Sequence, residues 1–252
     1  MLLSPEVVSH IFSFLEADIS DLKRCSQAHP LLSRLAERHL YRRTTVDITS
    51  GGDVDITGLS KQLSENPHIR NYVRILTIKF EPSLPAPTTM METASSILSS
   101  LPCLNAVTLA GSTPFAQKPW YEFHKSFLSV FVDILHQPDV REVHLEGLSG
   151  FPLSVFDTCQ NIKTLSLCNC GTFTKSDLTT PCPALESLSI RLSDDSTLFS
   201  WAIDRISHLT CLKFRPQGDE FSAFPKVLEA CSTSLTSLEL DTHNLCAYSN
   251  TR

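Results

Sequence analysis

Apolar residues return along this chain in one short phrase, apolar-x-x-apolar-x-apolar, with polar and helix-like stretches between. The copies read VRILTI (Val73, Leu76, Ile78), LNAVTL (Leu104, Val107, Leu109), VREVHL (Val140, Val143, Leu145) and IKTLSL (Ile162, Leu165, Leu167). LESLSI (Leu185, Leu188, Ile190), LTCLKF (Leu209, Leu212, Phe214) and LTSLEL (Leu235, Leu238, Leu240) follow. Their first residues lie 31, 36, 22, 23, 24 and 26 positions apart. The end of each copy alternates apolar and polar, as a half-buried strand does. Between copies, ETASSILSSL (92–101), EFHKSFLSVFVDILHQ (122–137), STLFSWAIDRI (196–206) and FSAFPKVLEAC (221–231) carry apolar residues at helical spacing. Strand, loop and helix alternate, so the predicted class is α/β. One strand–helix unit cannot bury its own apolar side, but stacked neighbours share a core. The last four spacings fall in the roughly 20–29 residue range of such repeats. A solenoid with a parallel sheet on its concave face is therefore expected over residues 42–252.

Residues 1–41 hold no copy of the phrase and predict short helices. Pro5 and Glu6 suit a first helical turn, followed by Val7, Val8, Ile11, Phe12 and Leu15 at helical spacing. Asp18 or Ser20 can cap a second helix with Leu22 and Cys25, and Pro30 interrupts it or starts a third with Leu31, Leu32, Leu35 and Leu40. TTVDIT (44–49) alternates like an irregular first strand, GGD (51–53) marks a turn, and LSKQLSE (59–65) predicts a short helix. Proline-bearing loops EPSLPAP (81–87) and TPFAQKP (113–119) stretch the first two spacings. The chain stops at HNLCAYSNTR, soon after the last copy and without a recognisable polar cap. A repeat domain truncated at its C-terminus, or an edge covered by a partner, is the expectation.

Composition narrows the function classes. The chain has 252 residues, 42% hydrophobic and 19% charged, enough to bury a continuous core. A net charge of -6 argues against a nucleic-acid partner, since phosphate binding needs a basic face. No apolar run approaches the ~20 residues of a membrane span, and the N-terminus lacks the basic start of a signal peptide. The nine cysteines are then expected as reduced thiols in an intracellular protein, cytoplasmic or nuclear. They lack the C-x-x-C and histidine spacing of a zinc site, so no metal or cofactor is expected. His144 between Glu142 and Glu146 is the one arrangement suited to a general base, but no nucleophile accompanies it, and no phosphate-binding loop or nucleophile-elbow motif occurs. No catalytic residue, and no enzyme activity, is expected. Trp120 and Trp201 are expected as packing residues.

Two resemblances give these patterns a family. Cys159, Ile162, Leu165, Leu167 and Cys170 spell C-x-x-I-x-x-L-x-L-x-x-C, and Cys182, Leu185, Leu188 and Ile190 begin the phrase again. This resembles the cysteine-containing subclass of leucine-rich repeats. At the N-terminus, Pro5-Glu6-Val7, Ile11, Phe12-Ser13-Phe14-Leu15, Asp21-Leu22, Cys25-Ser26, Leu35-Ala36 and His39-Leu40-Tyr41 match an F-box in order, over about 41 residues. The whole chain is similar to F-box/leucine-rich-repeat proteins, in the style of families expanded in fungi. The resemblance implies a small helical F-box-like segment (1–41) followed by a leucine-rich-repeat domain (42–252). It implies the substrate-recognition subunit of an SCF-type cullin-RING ubiquitin ligase: the F-box docks a Skp-type adaptor and through it a cullin, the repeats hold a protein substrate, and catalysis belongs to other subunits. Leu3, Pro5, Val7, Val8, Ile11, Leu15, Leu22, Cys25 and Leu32 would meet the adaptor. Two departures stand out: Ser4 is inserted before Pro5, and Leu32 replaces the family's tryptophan. Loss of such an aromatic anchor costs about 1–3 kcal/mol, or roughly tenfold to a hundredfold in affinity.

If each strand exposes its alternate residues on the concave face, that face is banded. Glu142, His144 and Glu146 form an acidic band, a neutral strand follows, Arg191, Lys213 and Arg215 form a basic band, and Glu239 and Asp241 close it. Arginines pair well with carboxylate and phosphate, so an acidic or phosphorylated substrate is expected there. The alternative for the band is a solvated face whose charges balance across strands. The alternative for the chain is a non-catalytic repeat scaffold with no ligase role, its N-terminal helices serving only as a cap. A cap buries its apolar residues on the first repeat, whereas an F-box offers part of them to a partner.

Overall fold

Three short helices open the chain, each begun by residue types that satisfy a helix's unpaired first N–H groups. The computed structural model describes residues 4–15, 18–49, 51–113, 116–174, 185–191, 196–203, 205–215 and 224–240. In it helix α1 spans Pro5–Phe14, α2 Ile19–Ala28 and α3 Pro30–Leu40. The Ser4 hydroxyl accepts from the Val7 N–H at 3.4 Å, and the Asp18 carboxylate accepts from the Ser20 and Asp21 N–H groups at 3.1 Å each. His29 Nδ1 accepts from the Leu31 N–H at 3.1 Å. Pro5 and Pro30 sit in the first turn, where proline's missing N–H costs nothing. Pro30 thus starts the third helix rather than interrupting the second. The helices enclose a small core of Phe12, Leu22 and Ala36, with Val8, Leu15, Cys25, Leu32, Leu35 and Leu40 packed around it.

The rest of the chain alternates strands and helices. In order these are β1 (Arg43–Asp47), α4 (Asp53–Glu65), β2 (Ile75–Phe80), α5 (Thr88–Ser99), β3 (Ala106–Gly111), β4 (Lys118–Pro119), α6 (Lys125–Leu135) and β5 (Glu142–Glu146). Then come β6 (Leu148–Ser149), β7 (Phe151–Pro152), α7 (Ser154–Asp157), β8 (Thr164–Cys168), β9 (Phe173–Thr174), β10 (Ser187–Arg191), α8 (Ser196–Ile203), β11 (Cys211–Arg215), α9 (Phe224–Cys231) and β12 (Ser237–Leu240). Eight strands form one parallel sheet in the order β1-β2-β3-β5-β8-β10-β11-β12. Each strand that carries the phrase lies beside the one before it in sequence, and the chain is mixed α/β around this sheet. The strand-like 44–49 segment joins it as β1.

One hydrogen-bond device repeats across the sheet. The carbonyl just before each strand accepts two consecutive N–H groups from the next: Arg74 O from Asn105 and Ala106, Asn105 O from Arg141 and Glu142, Arg141 O from Lys163 and Thr164. Lys163, Glu186 and Thr210 continue the series, so the strands begin in step. The apolar ladder is thereby aligned: Leu76, Val107, Val143, Leu165, Leu188 and Leu212 form one inward row, and Ile78, Leu109, Leu145, Leu167, Ile190 and Phe214 the next. All of these are buried. Leu238 and Leu240 extend the rows but are 45% and 42% exposed, because among the described residues β12 is the last strand and no helix follows it.

A single apolar core runs from Val46 to Cys231 behind the sheet. Ring contacts thread it: Phe80 to Phe123 at 5.2 Å, Phe123 to Phe127 at 5.4 Å, Trp120 to Phe151 at 4.7 Å and Phe156 to Trp201 at 5.9 Å between centroids. A buried ion pair joins α7 to the turn at Arg205, with Arg205 Nη2 2.7 Å from Asp157 Oδ1. Trp201 Nε1 donates to the same oxygen at 3.0 Å, and the Arg205 guanidinium lies 4.9 Å from the Trp201 ring centre.

Helix bounds depart from expectation where turns intervene. α4 starts at Asp53 instead of 59: Gly52 lets the chain turn directly into the helix, since a Cβ there would collide with the Asp47 carbonyl. α6 starts at Lys125 instead of 122, because Trp120–Glu122 is a separate 3₁₀ turn and His124 caps the helix. α5 starts earlier, at Thr88, immediately after Pro87. α8 ends at Ile203, short of the expected 206. The closing segment HNLCAYSNTR lies outside the described residues.

Candidate functional site

Strand alternation leaves one face of the sheet without apolar cover, and register puts its residues in rows. One row runs Thr45, Thr77, Thr108, His144, Ser166, Ser189, Lys213, Glu239. The next runs Asp47, Lys79, Ala110, Glu146, Cys168, Arg191, Arg215. A third begins Arg43, Ile75, Ala106, Glu142. The expected band residues thus share one surface: Glu142, Glu146, Arg191, Lys213 and Glu239 are exposed, and His144 and Arg215 are half-buried. Asp241 lies outside the described residues.

The band is not uniformly charged. Lys213 is held by Glu239 on the next strand, Nζ to Oε2 at 2.7 Å, and that hydrogen bond first, then the carboxylate's charge, raises the lysine's pKa. This pair matches the balanced-charge reading. Arg191 differs: among the described residues no carboxylate lies within ion-pairing distance. Its direct partner in register is another cation, Arg215. Ser189, Arg191, Lys213, Phe214, Arg215 and Glu239 line a shallow depression of about 300 Å³ there.

The groups between the bands are neutral. Cys168 lies between Glu146 and Arg191 in register, and burial first, then the Glu146 charge, pushes its thiol up, while Arg191 and Arg215 pull the other way. Burial pushes Cys170 to about 12, and its thiol donates to the Leu145 carbonyl at 3.4 Å. Burial lowers the His144 pKa, with Glu142 opposing, so the imidazole is neutral at pH 7. Among the described residues no group of three His, Cys, Asp or Glu side chains is placed to hold a metal ion.

The N-terminal candidates divide by burial. Pro5, Val7 and Ile11 are exposed, the latter two at 45% each. Leu22 is fully buried, and Val8, Leu15, Cys25 and Leu32 are partly buried against the small core it shares with Phe12 and Ala36. Leu3 lies outside the described residues. Three further exposed apolar side chains lie outside the set assigned to the adaptor from the sequence: Phe14 at 75%, Ile19 at 56% and Leu31 at 70%. Phe14 stands at helical spacing from Val7 and Ile11 on α1.

Contacts from α3 and the Tyr41 that follows it reach α4 and the 3₁₀ turn Pro67–Asn71. His68 Nε2 lies 3.3 Å from Glu37 Oε2, Arg38 sits 5.7 Å from the Tyr72 ring centre, and the Gln62 amide donates to the Tyr41 hydroxyl. A second buried cation was also unforeseen. Lys118 Nζ donates to the Leu84 carbonyl at 3.0 Å, tying down the proline-bearing 81–87 loop, with Glu122 at 3.9 Å. No helix among the described residues is long and apolar enough to cross a membrane. No model of a known protein family matches the chain, and no curated protein does either.

Proposed function

We propose that this chain is the substrate-recognition subunit of an SCF-type ubiquitin ligase. Residues 1–41 act as an F-box-like segment that docks a Skp-type adaptor, and through it a cullin. Residues 42–252 act as a leucine-rich-repeat domain that holds a protein substrate on the open sheet face. The chain itself performs no catalysis. The observation that carries this reading is the packing of the first three helices. They enclose their own core, yet leave Val7, Ile11, Phe14, Ile19 and Leu31 exposed. A terminal cap would turn such side chains onto the neighbouring strands, whereas a docking segment keeps them for a partner.

A second reading, a repeat scaffold with no ligase role, draws support from the contacts of Glu37, Arg38 and Tyr41 with His68, Tyr72 and Gln62, which join the helices to α4 and the turn after it as a cap would be joined. The two readings separate in a pull-down of the full chain with purified Skp-type adaptor. Capture that is lost in Ile11→Asp, with circular dichroism unchanged, supports the ligase receptor. Absence of capture at micromolar adaptor overturns it in favour of the scaffold.

A further inference from the structure

A cavity of about 150 Å³ lies at the end of β2, where the buried residue Phe80 forms part of its wall. Ile48, Phe80, Met91 and Phe123 make that wall apolar, and each is at most 4% exposed. The proline-bearing 81–87 loop contributes Leu84 and Ala86. The titratable groups on the cavity are Lys118, Glu81, Glu122 and His124, and His124 Nδ1 is already taken by Ser126 as the cap of α6.

Lys118 is the unusual member of this lining. Its side chain is 4% exposed, yet an ammonium carries three N–H donors and no acceptor. One donates to the Leu84 carbonyl at 3.0 Å. The Glu122 carboxylate, 3.9 Å away, balances the charge but lies beyond hydrogen-bond distance. Among the described residues no other acceptor is within reach of Nζ, so donor capacity remains after the Leu84 bond is made. Leu84, Glu122 and Phe123, whose ring centre is 5.6 Å from Nζ, all line the cavity, which places Nζ at its wall. A buried charged donor short of acceptors is costly. Water serves the polar corner but not the rest, because a buried water needs several polar partners and the apolar wall offers none.

Charge and size define what fits instead. Glu122 already offsets the lysine and Glu81 adds a second carboxylate, so an anion is opposed. A cation is opposed by the ammonium itself. A neutral oxygen acceptor completes the lysine's bonding without adding charge. An apolar cavity of roughly this size takes up one benzene ring, which sets the scale of the ligand. An oxygen held at Nζ carries its apolar body toward the Phe123 ring. We propose that the cavity is a binding site for a small neutral carbonyl compound about one ring in size. Its oxygen accepts from Lys118 Nζ while the Leu84 bond is kept, and its body rests on Phe80, Met91 and Phe123. The site goes beyond the ligase reading and uses neither the N-terminal helices nor the open sheet face.

The test is methyl NMR on the full chain, labelled at isoleucine and methionine and titrated with acetophenone. Saturable shifts are expected at Ile48 and Met91, with core methyls far from the cavity, such as those of Ile162 and Ile190, unmoved. Benzoate should bind more weakly than acetophenone. Lys118→Met keeps the length of the side chain and removes the donor, so it should weaken acetophenone about tenfold. It should not weaken ethylbenzene, which lacks the oxygen, and that control shows the cavity intact. Ala86→Leu fills the cavity and should abolish binding of both. No saturable shift at millimolar acetophenone overturns the proposal and leaves Lys118 as a tie for the 81–87 loop. Shifts of equal size throughout the core, tighter binding of benzoate, or equal change of both ligands in Lys118→Met overturn it as well.

Discussion

The N-terminal helices and the sheet region are built from similar apolar content but bury it in opposite ways. In the sheet region, the ladder side chains from β2 to β11 are buried in one core that continues for most of the chain, and only on β12 are Leu238 and Leu240 exposed among the described residues. In the first three helices only Phe12, Leu22 and Ala36 are fully buried, and large apolar side chains face outward. A core of that size supplies little stabilisation against the conformational entropy of ordering its residues. The sheet region covers its apolar ladder up to β11, whereas the helical one leaves Val7, Ile11, Phe14, Ile19 and Leu31 exposed.

Substitutions can break or sharpen this contrast. The largest effect is expected from Phe127→Ala, which opens a hole among Phe123, Phe131 and the ladder. It should cost about 3–5 kcal/mol and lower the main thermal transition. If α1–α3 were to lose structure in that same transition, the two regions would be one cooperative unit and the contrast would fail. Phe12→Ala should act more locally. Hydrogen exchange should quicken for amides of α1–α3 and stay slow for β3, β5 and β8, because the two cores share no buried residue.

The smallest effect is electrostatic. His144 has a lowered folded pKa, so the unfolded chain binds more protons as pH falls through about 6.5. The stability that depends on neutral His144 is present above that pH and is lost as pH falls through the depressed folded value. His144→Gln should flatten the slope of urea midpoint against pH below about 6.5. An unchanged slope would assign the pH dependence to other groups.

Much of the sheet was legible in the sequence because strand alternation and parallel register are local rules repeated many times. The phrase marks Leu165 and Leu167 as inward and Thr164, Ser166 and Cys168 as outward, and the bonds between strands hold them so. The first helix start was legible at Pro5-Glu6, where proline's missing N–H and an acidic side chain suit a first turn. The start of α4 was missed, because it depends on how closely Gly52 approaches the Asp47 carbonyl. Part of the candidate site was legible for the same reason: the banding of glutamates and basic residues follows from alternation alone. Which cation is already paired was not, because the Lys213–Glu239 bond depends on rotamers across two strands. Nor was the division between Leu22, buried, and Phe14, exposed, since both fit an apolar helix face and only the neighbouring helix decides which is covered.

The sequence by itself determined the alternating α/β order, the inward and outward sides of each strand and the charges that the open face carries. Side-chain period and capping act over a few residues, and their energies do not depend on where the rest of the chain goes. Only the tertiary structure decided that Arg191 opposes Arg215 and that Asp157, Trp201 and Arg205 meet in one buried network. It also decided that the helical segment keeps Val7, Ile11 and Phe14 outside. These are meetings between distant parts of the chain, set by which elements pack together and by what is left over when they have.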